Sequence, residues 1–204
     1  MTHDDANPVI GRAGSYAKGV ARRQEILDRA IEVFAQRGGY GTSLRSIAQA
    51  IGVSHAALLH YFDSREQLLL AVHEHAELTR NSDPTAPEPK SAVDVMTLAA
   101  TANVRVPGLV VLYTTLVAAA LEAGNATGRA YFTERFDRVR RGLADRLRAE
   151  QARGVIRRDV DPEQIAALIV AASDGLQIQW LLEPSVNLQQ TLGALETLLR
   201  PPGE

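Results

Sequence analysis

Four side chains within residues 43–62 have the chemistry needed to read a base pair. His55 and His60 carry imidazole N–H groups, which can donate to guanine N7 or O6, while Ala56 and Ala57 carry methyl groups that can contact a thymine methyl. Such side chains read sequence only when a rigid element holds them in a DNA groove. The residues around them therefore decide whether this chemistry is available.

The surrounding sequence predicts a helix-turn-helix that would hold these side chains. Ala48 is the small residue needed where two helices cross closely, and Gly52 tolerates the positive φ of the turn between them. Ser43 and Ser54 can each cap a helix start with a side-chain oxygen. Apolar residues that would lock the pair together lie at Ile47, Ile51, Val53 and Leu58. Helix pairs with a glycine turn also occur in bundles that bind no DNA, but the coincidence of caps, small contact and apolar pattern favours DNA binding.

Length and composition indicate a soluble globular protein. The chain has 204 residues, of which 46% are hydrophobic and 23% are charged, and this is ordinary for one or two domains with a buried core. It contains no cysteine, which excludes disulfides and thiolate metal sites and fits the cytoplasm. The longest charge-free apolar stretch, residues 106–121, is too short to span a membrane, and the acidic N-terminus is unlike a secretory signal. We therefore expect a cytoplasmic protein with no membrane partner.

The net charge of −2 is unevenly distributed along the chain. Residues 9–62 contain seven arginines and lysines and three acids, which gives this segment a local charge of +4. A basic segment on an otherwise acidic chain is the asymmetry expected when one part of a protein contacts phosphate.

Helical periodicity along the sequence predicts an all-α protein of about nine helices. The predicted parts are a flexible basic arm at 1–20, a helix-turn-helix domain at 21–63, a connecting helix at 64–80 and a second helical body at 91–204. The first helix of the head would end at Gly38-Gly39. Three prolines in residues 84–89 cannot continue a helix and mark the boundary between head and body.

The sequence of the head resembles the tetracycline-repressor (TetR) family of transcriptional regulators. From residue 22 to about residue 72, four segments match the family signature in order and spacing. They are Arg-Arg-Gln-Glu-Ile-Leu-Asp-Arg-Ala, Gly-Thr-Ser-Leu-Arg-Ser-Ile-Ala, Gly-Val-Ser and His-Tyr-Phe-Asp-Ser-Arg-Glu-Gln-Leu-Leu. After residue 90 only the number of helices and residues 174–182 are similar to the family.

The resemblance implies which residues contact DNA. The helix at 54–60 would enter the major groove, some side chains would hold phosphates, and the arm, with Arg12 and Lys18, would lie in a minor groove. The candidate DNA-contacting residues are Lys18, Ser43, Arg45, Ser54, His55, Ala56, Ala57, His60, Tyr61 and Arg65. The sequence departs from the family at Leu59, where a phosphate-binding tyrosine is usual, and at Ala56, where glycine is frequent. Tyr61 or His60 would have to replace the lost anchor.

The resemblance also implies a small-molecule site in the body. The candidate lining residues are Met96, Tyr113, Phe132, Phe136, Asp174, Gln177 and Trp180, each of which could instead belong to the apolar core. Arg105 and Asp174 stand beside apolar segments and could orient a polar group of the ligand. Because the candidate helices carry few charges, we expect a largely apolar or aromatic effector.

Two apolar stripes near the C-terminus favour a homodimer. The first recurs with helical spacing through one predicted helix and the second through the next, so two helices from each protomer could form a four-helix interface. The stripes consist of Ile165, Leu168, Ala172, Leu176, Leu188, Leu192, Leu195 and Leu199. Either stripe could instead face the core of its own protomer.

Catalysis and metal binding have little support in the sequence. There is no glycine-rich phosphate loop, no cysteine and no nucleophile elbow, so we expect no enzyme and no cofactor. His73 and Glu77 share a helical face, but no third metal ligand is evident, and we expect these residues and His75 to be solvated on the connecting helix.

The sequence therefore predicts a dimeric repressor that binds a near-palindromic double-stranded DNA operator and is released by a small-molecule effector. An alternative is a helical ligand-binding or scaffold protein whose head does not read DNA, which Leu59 and the modest basic charge favour. A third alternative is an activator or architectural DNA-binding protein that takes no ligand.

Overall fold

A computed structural model describes residues 13–37 and 43–201, and in these residues the chain forms nine helices and no strand. The all-α prediction is confirmed. The helices are α1 (Ala13–Arg37), α2 (Leu44–Ala50), α3 (His55–Tyr61), α4 (Arg65–Asn81), α5 (Ala92–Val104), α6 (Pro107–Ala120), α7 (Ala126–Ala152), α8 (Pro162–Leu182) and α9 (Leu188–Leu198).

Most helices begin at a residue whose side chain accepts a backbone N–H from the first turn. Such caps satisfy N–H groups that have no partner within the helix, and they fix where each helix starts. The capping residues are Ser43, Ser54, Ser64, Ser91, Asn125, Asp161 and Asn187. Helix α6 has no side-chain cap and begins instead with Pro107, whose missing N–H needs no partner there.

Helices α1 to α4 form the head around one apolar core. Ile26 and Phe34 from α1, Ile47 from α2, Leu58 from α3 and Leu68 from α4 are almost fully buried in it. The same cluster continues into the body through residues of α6 and α7, namely Leu112, Tyr113, Leu116, Ala120 and Phe132. Head and body therefore share packed residues, although the prolines of residues 84–89 separate α4 from α5 along the chain.

The body is built from α5 to α9. Helix α8 packs against α7 and α9, and α5 packs against α9. One apolar cluster lies mainly between α7 and α8, with Leu147 and Ile169 at its centre, and a second surrounds Leu192. Helix α6 contacts α1, α4 and α7, so it stands between the head and the rest of the body.

The structure corrects the predicted start of the first helix. Residues 13–20, placed in a flexible arm by the sequence, are the first two turns of α1. Alanine at positions 13, 17 and 21 favours helix, and extending a helix that is already anchored by packing requires no new nucleus. Lys18 is therefore an exposed residue of a helix, while Arg12 and the Gly38-Gly39 pair lie outside the described residues.

Candidate nucleic-acid interface and ligand cavity

The turn between α2 and α3 has the predicted helix-turn-helix geometry. Gly52 adopts φ 72°, and the Val53 N–H closes the turn on the Ala48 carbonyl at 2.9 Å. Ala48 is 1% exposed, which confirms the close contact between the helices. The Arg29 guanidinium donates to the Ile51 carbonyl at 3.3 Å and thereby joins α1 to the turn.

Helix α3 presents a continuous exposed face. His55, Ala56, Leu59 and His60 are exposed and recur at helical spacing, whereas Ala57 is half-buried. Leu59 is 44% exposed, so the residue that departs from the family pattern stands on this face and not in the core. The face therefore combines imidazole donors with apolar groups, the two kinds of contact that major-groove edges accept.

The other predicted DNA-contacting residues lie around this face and differ in exposure and in hydrogen bonding. Arg45 on α2 is exposed, while the hydroxyls of Ser43 and Ser54 already accept the N–H groups of Ser46 at 3.2 Å and Ala57 at 3.0 Å. These two serines act as helix caps. Their predicted contacts with DNA stay predictions.

Two residues at the end of the helix pair are only partly accessible. Tyr61 packs against the head core, with its ring edge-on to His60 at a centroid distance of 5.0 Å. Arg65 opens α4 and is half-buried. Both lie beside the exposed face of α3, where a phosphate contact needs only the polar end of the side chain.

A cavity of about 380 Å³ lies beneath α4, between head and body. Its size is typical of a small-molecule site. Residues from α1, α4, α5, α6, α7 and α8 line it, and four of the predicted residues are among them: Met96, Tyr113, Asp174 and Gln177. Arg105, which the sequence suggested as a polar anchor, lines it as well.

Three predicted lining residues lie elsewhere. Phe132 is 4% exposed and belongs to the core shared by head and body, and Phe136 packs between this core and the cluster of α7 and α8. Both border a smaller depression of about 220 Å³. Trp180 packs against the apolar cluster around Leu192. An aromatic ring in an apolar helix can belong either to the core or to the wall of a ligand site. Here Phe132 belongs to the core, and Phe136 and Trp180 pack against it.

The expectation that His73 and Glu77 are solvated is wrong, because both line the cavity. The Glu77 carboxylate receives two hydrogen bonds from Arg135 of α7, at 2.6 and 3.2 Å. His75 also has a partner, since its Nε2 lies 2.6 Å from the Asp28 carboxylate of α1. In the described part of the chain no three His, Asp or Glu side chains converge as metal ligands would.

A second set of polar contacts closes the cavity wall. The His73 Nδ1 lies 2.9 Å from the Tyr131 hydroxyl, and the His73 ring stacks on Tyr113 at 5.3 Å. Arg80 donates to Asn103 at 3.0 Å, and Asn103 donates to Gln177 at 2.8 Å. These contacts connect α4 to α5, α7 and, through Asn103, α8.

Burial shifts the titration of these groups. Burial and the positive charge of Arg135 lower the pKa of His73 from 6.5 to about 4, so its imidazole is neutral at pH 7. Burial opposes ionisation of Glu77, but the hydrogen bonds and charge of Arg135 outweigh it and hold the Glu77 pKa below its usual range. Burial raises the pKa of Asp174, although Tyr113 and the more distant Arg135 partly oppose this.

Sequence reasoning thus missed four ionisable residues of the cavity: His73, Glu77, Arg80 and Arg135. The first three lie at spacings of four and three along α4, which places them on one helical face. That spacing could have indicated a shared environment. The role of Arg135 could not be found in this way, because its partner Glu77 is 58 residues away.

The predicted dimer stripe on α9 is wrong for three of its residues. Leu188, Leu192 and Leu199 are buried in the protomer's own core, with exposed fractions of 1%, 0% and 6%. Leu195 also packs there, as do Ile165, Ala172 and Leu176 of α8. Of the predicted residues only Leu168 is largely exposed. Both faces of α8 are apolar, so spacing alone did not tell its core face from its outer one.

Comparison with known proteins agrees with this architecture. Residues 26–72 match the model of bacterial regulatory proteins of the tetR family, and residues 109–200 match that of the BetI-type transcriptional repressor C-terminal region. A TetR transcription regulator from Haloarcula marismortui has the same fold, with a TM-score of 0.72 and 18% identity over 88% of this chain and 96% of that one.

Two curated relatives match part of the chain. The HTH-type transcriptional repressor KstR2 of Rhodococcus jostii is 39% identical over 69 residues, which cover 34% of this chain and 30% of KstR2. The HTH-type transcriptional regulator RutR of Escherichia coli K12 is 46% identical over 52 residues, which cover 26% of this chain and 24% of RutR. The matches thus span less than a third of either relative. Together the two family models cover more than half of the chain in the order found here, and the chain belongs to the tetR family of bacterial regulatory proteins.

Proposed function

We propose that this chain is a dimeric transcriptional repressor that binds a near-palindromic operator and is released when a small molecule occupies the cavity beneath α4. The observation that carries this proposal is the double role of α4. Its Leu68 and Val72 pack in the same core as Leu58 of α3, while its His73 and Glu77 line the cavity. One helix therefore shares a core with the DNA-facing pair and lines the ligand site.

DNA recognition would use the exposed face of α3. His55 and His60 would donate to base edges in the major groove, which Arg45 would also reach, and Leu59 would contact a thymine methyl. Tyr61 and Arg65 would meet phosphates. In a two-fold dimer the two α3 helices would enter successive major grooves, with half-sites about 34–36 Å apart.

The dimer is supported by apolar surface that α8 and α9 leave uncovered. Leu168, Ile178, Leu182 and Leu198 are 61%, 45%, 82% and 67% exposed. By length and composition alone α8 could cross a membrane, but it packs against α5, α7 and α9. Ala167, Ala171 and Gly175 would allow a second copy of α8 to approach closely, so the proposed interface uses the outer face of α8 and not the inner stripe of α9.

We expect the double variant Leu168→Lys/Leu182→Lys to be monomeric, because two ammonium groups would be buried at the two-fold interface. Sedimentation equilibrium at micromolar concentration would measure the mass of the variant beside that of the wild type. Leu121→Lys, at an equally exposed leucine on another face, is the matched control and should leave the dimer intact. A double variant that stays dimeric would place the interface elsewhere.

Release would act through α4. The helix is fixed to the head by His75 and Asp28, and to the body by Glu66, which accepts from Asn125 at 2.5 Å. An effector in the cavity would displace α4 and change the separation of the two heads. It can do so only if it binds the DNA-incompetent arrangement more tightly than the competent one.

The test of the proposed function is selection of genomic DNA fragments from the source organism by the purified protein at physiological salt. Enrichment of a near-palindromic site by the wild type supports the proposal, provided that His55→Ala changes the enriched sequence. The contrary result is that no fragment is enriched and that the affinity for random DNA does not change with salt concentration. The chain would then be a helical ligand-binding protein without DNA recognition.

A further inference from the structure

Asp174 is a carboxylate on the cavity wall that lacks a cationic partner. Both of its oxygens lie 3.0 Å from the hydroxyl of Tyr113, which has only one proton to donate. Among the side chains that the structure describes, no lysine, arginine or histidine nitrogen lies within 4.0 Å of Asp174. A partly buried carboxylate with one shared donor retains unused acceptor capacity toward the cavity.

The other carboxylate of the cavity has the opposite arrangement. Glu77 is saturated by the two hydrogen bonds of Arg135, and Arg80 adds an ion pair at 3.8 Å. Arg135 is therefore neutralised, and Arg80 is further held by Asn103. The charges of α4 and α7 thus satisfy one another, and Asp174 of α8 has only the more distant charge of Arg135 to oppose its own.

Apolar side chains line the same cavity as Asp174. They include Val110 of α6, Val139 of α7 and Val170 of α8, together with Met96 and Ala99 of α5. Arg105, the remaining lining cation, is exposed and follows the end of α5. The cavity therefore offers one unsatisfied anionic acceptor in an apolar frame.

We propose that the effector is a small organic amine whose protonated nitrogen donates to Asp174 while its apolar body packs against the valines of α6, α7 and α8. This inference rests on the proposed function, since it assigns the chemistry of the ligand that the cavity takes. It also modifies the sequence-based expectation of a largely apolar effector, because the apolar body is retained and a single cationic end is added. Charge-assisted hydrogen bonds are about twice as strong as neutral ones, so the amine would determine the affinity.

The test compares probes that differ only in the terminal group. Isothermal titration calorimetry on the full-length protein would use 2-phenylethylamine, 2-phenylethanol and 3-phenylpropanoate, and in parallel hexylamine, hexan-1-ol and heptanoate. We expect the amine of at least one series to bind at least about tenfold more tightly than its alcohol, as a charge-assisted hydrogen bond would produce. Asp174→Asn should abolish this difference, and Asp137→Asn, an exposed aspartate paired with Arg141 on α7, should preserve it.

Several results would overturn the amine assignment. They are equal affinities of amines and alcohols, tighter binding of the carboxylates, and an amine preference that survives in Asp174→Asn. The wild-type comparison alone decides the first two, so the proposal stays testable even if Asp174→Asn folds poorly. Operator binding is measured separately on the same protein. If the protein binds its operator but shows no preference for amines, only the ligand class is refuted. If it does not recognise an operator, the proposed function is refuted.

Discussion

The DNA-facing helix and the ligand cavity use the same polar side chains in opposite ways. His55 and His60 on α3 are exposed, so their donors can exchange water for a base edge. His73 on α4 is held against Tyr131 and Tyr113, and Glu77 beside it is already paired with Arg135. On a surface that binds DNA, the hydrogen-bond donors are exposed to solvent. In a cavity inside the protein, charged side chains must be paired with one another even when no ligand is bound. The unsatisfied acceptor of the cavity, Asp174, therefore stands out against its neighbours.

The largest expected effect comes from breaking the pairing within the cavity. Arg135→Ala removes both hydrogen bonds that Arg135 donates to Glu77, whose side chain is only 14% exposed, and leaves it only the longer ion pair with Arg80 at 3.8 Å. We expect a loss of about 3 kcal/mol in the free energy of unfolding, measured by urea denaturation. The double variant Glu77→Gln/Arg135→Met should recover most of this loss.

A surface pair provides the matched control for this prediction. Arg141 and Asp137 on α7 lie 2.7 Å apart but are 70% and 51% exposed. Arg141→Ala should cost less than about 1 kcal/mol, because solvent screens exposed pairs. Equal losses for Arg135→Ala and Arg141→Ala would show that the cavity pair is no more stabilising than a solvated one.

A second prediction concerns the exposed donors of α3. His55→Ala should reduce the preference for the selected operator over its mutated form by about 1–3 kcal/mol, with little change in folding, because one base contact is lost. Arg65→Ala should weaken binding to all sequences alike, as loss of a phosphate contact does. It should also reduce by about one the slope of log affinity against log salt concentration. Fluorescence anisotropy at several salt concentrations measures both. If the effects of the two variants are exchanged, the assignment of base and phosphate contacts is wrong.

The buried imidazole should make stability depend on pH. The pKa of His73 is about 4 in the folded protein and 6.5 when unperturbed, so between these values the unfolded chain binds the extra proton. Stability contributed by neutral His73 is therefore fully present above pH 6.5 and decreases as pH falls toward 4. From pH 7 to pH 5 we expect a loss on the order of 1–2 kcal/mol. His73→Gln should flatten this part of the pH profile measured by urea denaturation, and an unchanged profile would show that His73 is not the titrating group.

The smallest expected effect is at the turn of the helix pair. A β-carbon at Gly52 meets only the end of the Arg29 side chain, at 3.8 Å, so Gly52→Ala costs only the strain of a φ of 72°. We expect a loss of about 1 kcal/mol in thermal denaturation experiments. Gly142→Ala, at an open position in the middle of α7, should instead be neutral or stabilising, because alanine favours helix.

The head could be predicted from the sequence because its determinants are local. The caps, Gly52, Ala48 and the apolar contacts all lie within residues 43–62, and each acts on neighbours a few positions away. The extent of α1 was missed because composition at 13–20 did not reveal that an anchored helix would extend through it. The later helices likewise begin at local signals, a capping side chain or a proline in the first turn.

The cavity could be predicted only in part, because its wall is assembled from distant segments. Tyr113 and Asp174 were found as polar groups in apolar helices, but nothing in the sequence joins Glu77 to Arg135 or places Phe132 in the core. The outer face of α8 was missed for a related reason, since both of its faces are apolar and the positions of α5, α7 and α9 decide which one is covered.

In the proposed mechanism, α4 couples the cavity of each protomer to its DNA-facing helix α3. The chain has no cysteine, so Glu32→Cys on the exposed side of α1 gives one spin label per protomer. Double electron–electron resonance would then measure the distance between the two heads on the selected operator fragment and after addition of the probe that binds the cavity most tightly. We predict a narrow distance distribution on DNA that shifts by a few ångströms when the probe binds and the operator is released. A probe that fills the cavity and leaves both the distance and the operator affinity unchanged would contradict the account.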